Sequence, residues 1–331
     1  MKLQVPFVQL PLQFDAAALA REVRALGEEA WRPHPQKFPG NFALPLISVD
    51  GDADSDSISG PMRPTAYLAQ CPYLAQVLAQ LDAVWGRTRL MKLSGQAEVT
   101  EHADINYYWR ERTRVHVPIL TQPTVRFLCG DAEVNMQPGE CWIFDTWRRH
   151  RVINGADDER IHLVADTVGG VGFWDLVARG RAPGYNVPAG WQARAVTADG
   201  GAAPVLRYES VNVPLVMTPW ELREHLGFLL RDLPPFPNLQ AVHQHAARFQ
   251  ILWQALWSEY GSDRAGWPAY RQALDGFDAA IEQLASGELL ANGSVFLSAL
   301  RAMILSVALG DRRAATAEEP RLPAASTTSQ A

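Results

Sequence analysis

The sequence predicts an α+β protein: a double-sheet β core with helices on its N-terminal side and a helical C-terminal region. Three observations lead there. Seven short β-rich runs follow one another closely, at 87–93, 113–121, 124–129, 132–136, 140–145, 149–154 and 159–168. Short strands at regular spacing, separated by turn chemistry, build sandwiches and barrels such as the double-sheet jelly roll. On either side of them, apolar residues recur at helical spacing. The chain is also long enough, at 331 residues, and hydrophobic enough, at 47%, to bury a substantial core without disulfide staples. With 20% charged residues it lacks the composition of a disordered protein.

Residues 3–12 alternate enough to form a strand. Residues 15–27, DAAALAREVRALG, repeat apolar positions at helical spacing and end in glycine. Residues 31–65 are rich in Pro, Gly, Asp and Ser and read as loop, with one short strand in FALPLISV. YLAQVLAQLDAVW at 73–85 is a second helix by the same periodicity. The β core then occupies about 87–168, punctuated by SGQ, QP, CGD, QPGE and NGADDE. After Gly169-Gly170 comes a short helix, FWDLVARG, and a Gly-, Pro- and Ala-rich loop to about 204. Thr218-Pro219-Trp220-Glu221 is a capping box with proline at the first helical position, and RDLPPFPN stops the helix it starts. Further helices are expected at 238–259, 268–286 and 294–309. The chain thus divides into a β domain at 1–204, a helical C-terminal subdomain at 205–310 and a disordered tail at 311–331.

Composition excludes several functions. Thirty Lys and Arg against 36 Asp and Glu give a net charge of −6, without the basic face that nucleic-acid binding needs. Three cysteines, Cys71, Cys129 and Cys141, are odd in number and lie in apolar contexts. They read as reduced core thiols of a cytoplasmic protein. The apolar stretch at 3–14 is broken by Gln and Pro, unlike a secretory leader. The longest apolar helix candidate, 294–310, carries Arg301 and is shorter than a membrane span, so it reads as a buried helix.

The chemistry concentrates at 102–162. His102-Ala103-Asp104 followed by a distant His150 is the residue set of the 2-His-1-carboxylate facial triad, which holds non-haem Fe(II) and leaves one face open. His-x-Asp alone is a common pair. It gains weight from Arg160, ten residues past His150, because a buried guanidinium beside a metal calls for an anionic partner. Alternation adds to this. Arg160, His162, Val164 and Asp166 share one strand face, with Ile161, Leu163 and Ala165 on the other. Arg114 and His116 likewise oppose Val115 and Val117. Two strands carrying Arg and His on one face and apolar residues on the other either expose that face or line a polar pocket with it, and the pocket is the favoured reading.

HADINYYWRERTRVHVPI, PGECWIFDTWRRH and RIHLVAD together resemble the aspartyl/asparaginyl β-hydroxylase family. These are Fe(II)- and 2-oxoglutarate-dependent dioxygenases on a double-stranded β-helix (jelly-roll, cupin-like) core, and they include bacterial enzymes that hydroxylate free proline. The resemblance covers 87–168 well, 31–86 loosely, and the C-terminal helices not at all. It implies that His102, Asp104 and His150 bind iron, with Asp104 matching the proline-hydroxylating members. It implies that Arg160 binds the distal carboxylate of 2-oxoglutarate, that His116 contacts this co-substrate, and that Arg114 contacts substrate. A serine that helps hold the co-substrate in some members has no match near Met91. The implied reaction consumes O2 and 2-oxoglutarate, releases succinate and CO2, and hydroxylates a free amino acid, a peptide side chain or an amino-acid-derived metabolite. Asn106, Tyr108 and Trp109, just past Asp104, are expected in the substrate wall.

The alternative is a cupin-like metal-binding sensor of a small acid without oxidative turnover, from which Arg160 is the distinguishing residue. His225, His243 and His245 read as helix-surface residues, His34 as a loop residue that either approaches the mouth or, as favoured, has no role, and Asp145 as a turn cap or a partner of a ligand imidazole. The Trp- and Leu-rich C-terminal helices read as a packed cap, or else as a homodimer or carrier-protein surface.

Overall fold

A computed structural model describes residues 1–35, 38–201 and 204–310; the tail expected at 311–331 lies outside the described residues. The fold is mixed α and β, with two sheets. The larger has ten strands, and its central path runs through Phe7–Phe14, Glu140–Phe144, Thr113–Leu120, Arg160–Gly169, Val84–Leu93 and Asn41–Val49. The smaller has four, ordered Glu98–His102, His150–Ile153, Arg126–Cys129 and Ala132–Val134.

The alternation read from the sequence decides which face of the large sheet is dry. Val115, Val117, Ile161, Leu163 and Ala165 are buried with Leu19 and Val23 of the helix Ala16–Ala25 and Leu74, Val77 and Leu78 of the helix Pro72–Gln80. Each Val, Leu or Ile side chain among them contributes roughly 1.5–3 kcal/mol through burial. Asp15 caps the first of these helices by accepting from the Ala18 amide at 2.9 Å. The opposite face turns toward the small sheet. Phe7, Leu93, Trp142 and Phe144 from the large sheet meet Phe127, Cys129 and Val152 from the small one in a separate apolar cluster.

The C-terminal helices Pro219–Arg231, Leu239–Tyr260 and Trp267–Ala285 make a third cluster, which also takes in Ala103, Ile105 and Trp147. Thr218 caps the first helix as expected, accepting from the Glu221 amide at 3.2 Å.

Some boundaries differ from the sequence reading. The helix expected at 73–85 stops at Gln80; Asp82 takes a positive φ of 47° and the chain turns into a strand at Val84. The helix expected over 294–309 is a short α segment, Phe296–Leu300, continued by a π turn, Arg301–Leu305. The three cysteines are buried and free. No described helix is long and apolar enough to cross a membrane.

Candidate metal centre

His102 ends one strand of the small sheet and His150 begins its neighbour, and the two are direct cross-strand partners. Their ring centroids are 4.2 Å apart. Asp104 follows two residues after His102, its amide tied to the Thr146 carbonyl at 3.0 Å. One ligand atom from each of His102, Asp104 and His150 lies within 4.8 Å of the others.

Both rings are oriented in the same way. Nδ1 of His102 lies 2.7 Å from the Thr100 carbonyl, and Nδ1 of His150 lies 2.9 Å from that of Arg148. A carbonyl only accepts, so each Nδ1 carries the hydrogen and each Nε2 is left for a metal. Burial, and then the neighbouring His102, lowers the His150 pKa to about 3, so this imidazole is neutral, as ligation requires. Burial alone would raise the Asp104 carboxyl. Arg114, His150 and His102 outweigh it and hold the carboxyl below its ordinary range. Two imidazole nitrogens and one ionised carboxylate within 4.8 Å of one another suit Fe(II).

The cavity lies between the sheets. Val99, His102, Phe127, His150 and Val152 line it from the small sheet, and Arg89, Met91, Arg114, His116, Arg160 and Val164 from the large one. Arg160 is buried, donates to Nδ1 of His162 at 2.7 Å, and has no carboxylate within ion-pair range among the described residues. Burial lowers its pKa to about 9, which still leaves it cationic near neutrality. His162 is therefore the acceptor that orients Arg160. Burial and the charge of Arg160 keep it neutral. His116 sits edge-on to Phe127 and Phe144, and neither of its ring nitrogens has a hydrogen-bond partner among the described residues. Burial, then Arg160 and Arg114, hold it neutral too.

Arg114 lines the cavity, but its guanidinium is committed, reaching Asp104 Oδ2 at 3.0 Å and Asp166 Oδ1 at 2.9 Å. Asn106, Tyr108 and Trp109 do not line the cavity. Asn106 accepts from the Trp109 amide at 3.0 Å and caps the short helix Tyr107–Glu111, which turns the chain away. Tyr108 accepts from the Arg87 amide, and Trp109 lies under the Arg87 and Arg114 guanidiniums.

His225 is also corrected: it is 2% exposed, edge-on to Tyr107 and near Glu111 and Glu221. Asp145 accepts from the Trp147 amide and Arg148, shaping the turn before His150 without touching its ring. His34 lines the cavity, as do Phe38 and Asn41. Sequence reasoning missed Arg89, although alternation along VWGRTRLMKL places it on one face with Met91.

The triad supplies the ligand set of a non-haem Fe(II) site. Residues 58–169 match the model of the aspartyl/asparaginyl beta-hydroxylase family. No curated protein matches the chain. Among solved structures, a Pseudomonas putida prolyl-4-hydroxylase is 15% identical, with 50% of this chain and 92% of that one covered and a TM-score of 0.35. A 2OG-Fe(II) oxygenase family protein from Burkholderia pseudomallei is 14% identical, with 51% and 89% covered and a TM-score of 0.38. HygX from Streptomyces hygroscopicus, solved with nickel and 2-oxoglutarate, is 10% identical, with 50% and 84% covered and a TM-score of 0.34.

Proposed function

We propose that the protein hydroxylates an amino-acid side chain, in a free amino acid, a peptide or an amino-acid-derived metabolite, and releases succinate and CO2. In this reading residues 1–204 form a jelly-roll dioxygenase domain and residues 205–310 a helical subdomain behind its metal loop. The observation that carries it is Arg160: a buried guanidinium without a carboxylate partner among the described residues, in the cavity lined by His102 and His150. An uncompensated buried cation is costly, and a dicarboxylate co-substrate removes that cost.

His102 and His150 through Nε2, and Asp104 through its carboxylate, are the iron ligands. Bound iron supplies O2 activation coupled to oxidative decarboxylation of 2-oxoglutarate. The protein supplies placement. Arg160 takes the distal carboxylate of the co-substrate in a charge-assisted pair, with His162 holding the guanidinium in position. His116 offers an unpaired ring nitrogen to the co-substrate from the same strand face. Phe127, Phe144 and Val152 keep water from the reacting side.

The test is an anaerobic titration with Fe(II) and then 2-oxoglutarate, following the visible metal-to-ligand charge-transfer band. A band in wild type that is lost in His150→Ala, together with loss of succinate formation in His102→Ala, supports the reading. Iron binding without a band points instead to the cupin-like sensor.

A further inference from the structure

Three arginines line the cavity, and their surroundings differ. Arg114 is neutralised by Asp104 and Asp166. Arg160 receives its anion from 2-oxoglutarate under the function proposed above, on which this inference rests. Arg89 is left over. It is 9% exposed and has no hydrogen bond or ion pair among the described residues. Its nearest charges make matters worse: burial, then repulsion from Arg87 and Arg114, lowers its pKa to about 9, with Asp166 and Asp56 offsetting part of this. It remains a cation at neutral pH.

Register separates Arg89 from the co-substrate arginine. Val164 is the cross-strand partner of both Arg89 and His116, whereas Arg160 pairs with Leu93, four residues along. At about 3.3 Å per residue the two arginines leave their strands about 13 Å apart along the strand direction. The cavity therefore has two cationic positions. His34 lies beside the second, with Arg89 the strongest charge acting on it.

We infer that Arg89 binds a carboxylate of the primary substrate, taking the recognition role that family resemblance assigns to Arg114. The substrate class is an amino acid presenting its α-carboxylate, or a peptide presenting an acidic side chain. An amide or ester at the same position leaves the guanidinium unpaired and is rejected.

The experiment uses the full-length protein loaded anaerobically with Fe(II) and 2-oxoglutarate. Its probes are the free L-amino acids, their α-carboxamides, and blocked tripeptides with a central Asp, Glu, Asn or Gln. Binding is read as perturbation of the charge-transfer band. Acid probes are expected to bind wild type and to weaken about 10–100-fold in Arg89→Met, the usual worth of a charge-assisted pair. Arg89→Lys recovers part of that loss. Affinity for 2-oxoglutarate stays within about twofold in both variants, which also shows that the site is folded. Free acids responding and blocked peptides not responding identify an α-carboxylate; the reverse identifies a side-chain carboxylate. The inference is overturned if amides bind wild type as well as acids, if Arg89→Met binds acids normally, or if no acid perturbs an intact band. Loss of 2-oxoglutarate binding in Arg89→Met also overturns it, by moving Arg89 to the co-substrate. Absence of the band in wild type sinks the dioxygenase reading itself, and this inference with it.

Discussion

Arg114 and Asp104 form an ion pair across the two sheets: Nη1 of the arginine lies 3.0 Å from Oδ2 of the carboxylate. The arginine projects from a strand of the large sheet, while the carboxylate follows a strand of the small one. The second arm of Arg114 is fixed by Asp166, its direct cross-strand partner. The metal carboxylate is thus aimed by a clamp belonging to the opposite sheet.

Arg114→Gln is expected to weaken Fe(II) binding about 10–100-fold, as loss of an orienting partner commonly does. The Asp104 carboxyl loses its strongest opposing charge and its pKa rises. Protons then compete with metal at higher pH, so the binding curve moves alkaline. Anaerobic metal titrations at several pH values check both effects, and an unshifted curve refutes the clamp.

Arg160→Met is expected to weaken 2-oxoglutarate binding by about 1.5–3 kcal/mol, on the order of 10–100-fold, without changing iron affinity. His162→Leu removes only the acceptor that positions the guanidinium. Its effect should be about fivefold, the worth of one ordinary hydrogen bond. Equal losses in the two variants would mean that His162 touches the co-substrate directly.

Ile105 packs with the C-terminal helices immediately after the Asp104 ligand. Ile105→Ala is expected to destabilise the protein by about 2–5 kcal/mol through the cavity it leaves. It should also weaken iron binding, because the loop loses its backing. Tyr107→Phe removes the 2.5 Å bond to Glu221 between the same partners and should act in the same direction with a smaller effect. Denaturant unfolding combined with metal titration checks this; full iron affinity in a destabilised Ile105→Ala would uncouple the helices from the site.

The metal-free protein is expected to be acid-labile. His34, His116, His150 and His162 are all held below the ordinary histidine value, mainly by burial. A histidine with a depressed folded pKa is neutral in the fold but protonates in the unfolded chain near pH 6.5. Stability therefore falls as pH drops below that point, by up to about 1.4 kcal/mol per pH unit for each histidine, and for His34 and His150 the loss continues until pH reaches about 3. Melting temperatures between pH 8 and 5 check the sign: a flat profile would mean that these rings are solvated.

The triad was legible because its chemistry needs few residue types at a telling spacing, and because Arg160 recurred on an alternating strand. The polar face of Arg114, His116, Arg160 and His162 followed from alternation alone. What escaped depended on neighbours in space. A capping Asn106 has the same local sequence as a wall-forming one, and only the short helix it starts turns Tyr108 and Trp109 away. His225 has charged sequence neighbours, but its ring faces Tyr107 from another element. Arg89 stood in plain alternation, yet which face of its strand meets the cavity is set by the second sheet.

The cross-strand pairing of His102 with His150 makes the iron site a gauge of alignment in the small sheet. Side chains alternate between faces, so a slip of one residue between these strands turns one imidazole outward. Most lesions weaken a metal site by degrees, but this one removes a ligand outright. Metal retention would then distinguish chains whose small sheet has paired correctly from those trapped one step out of phase.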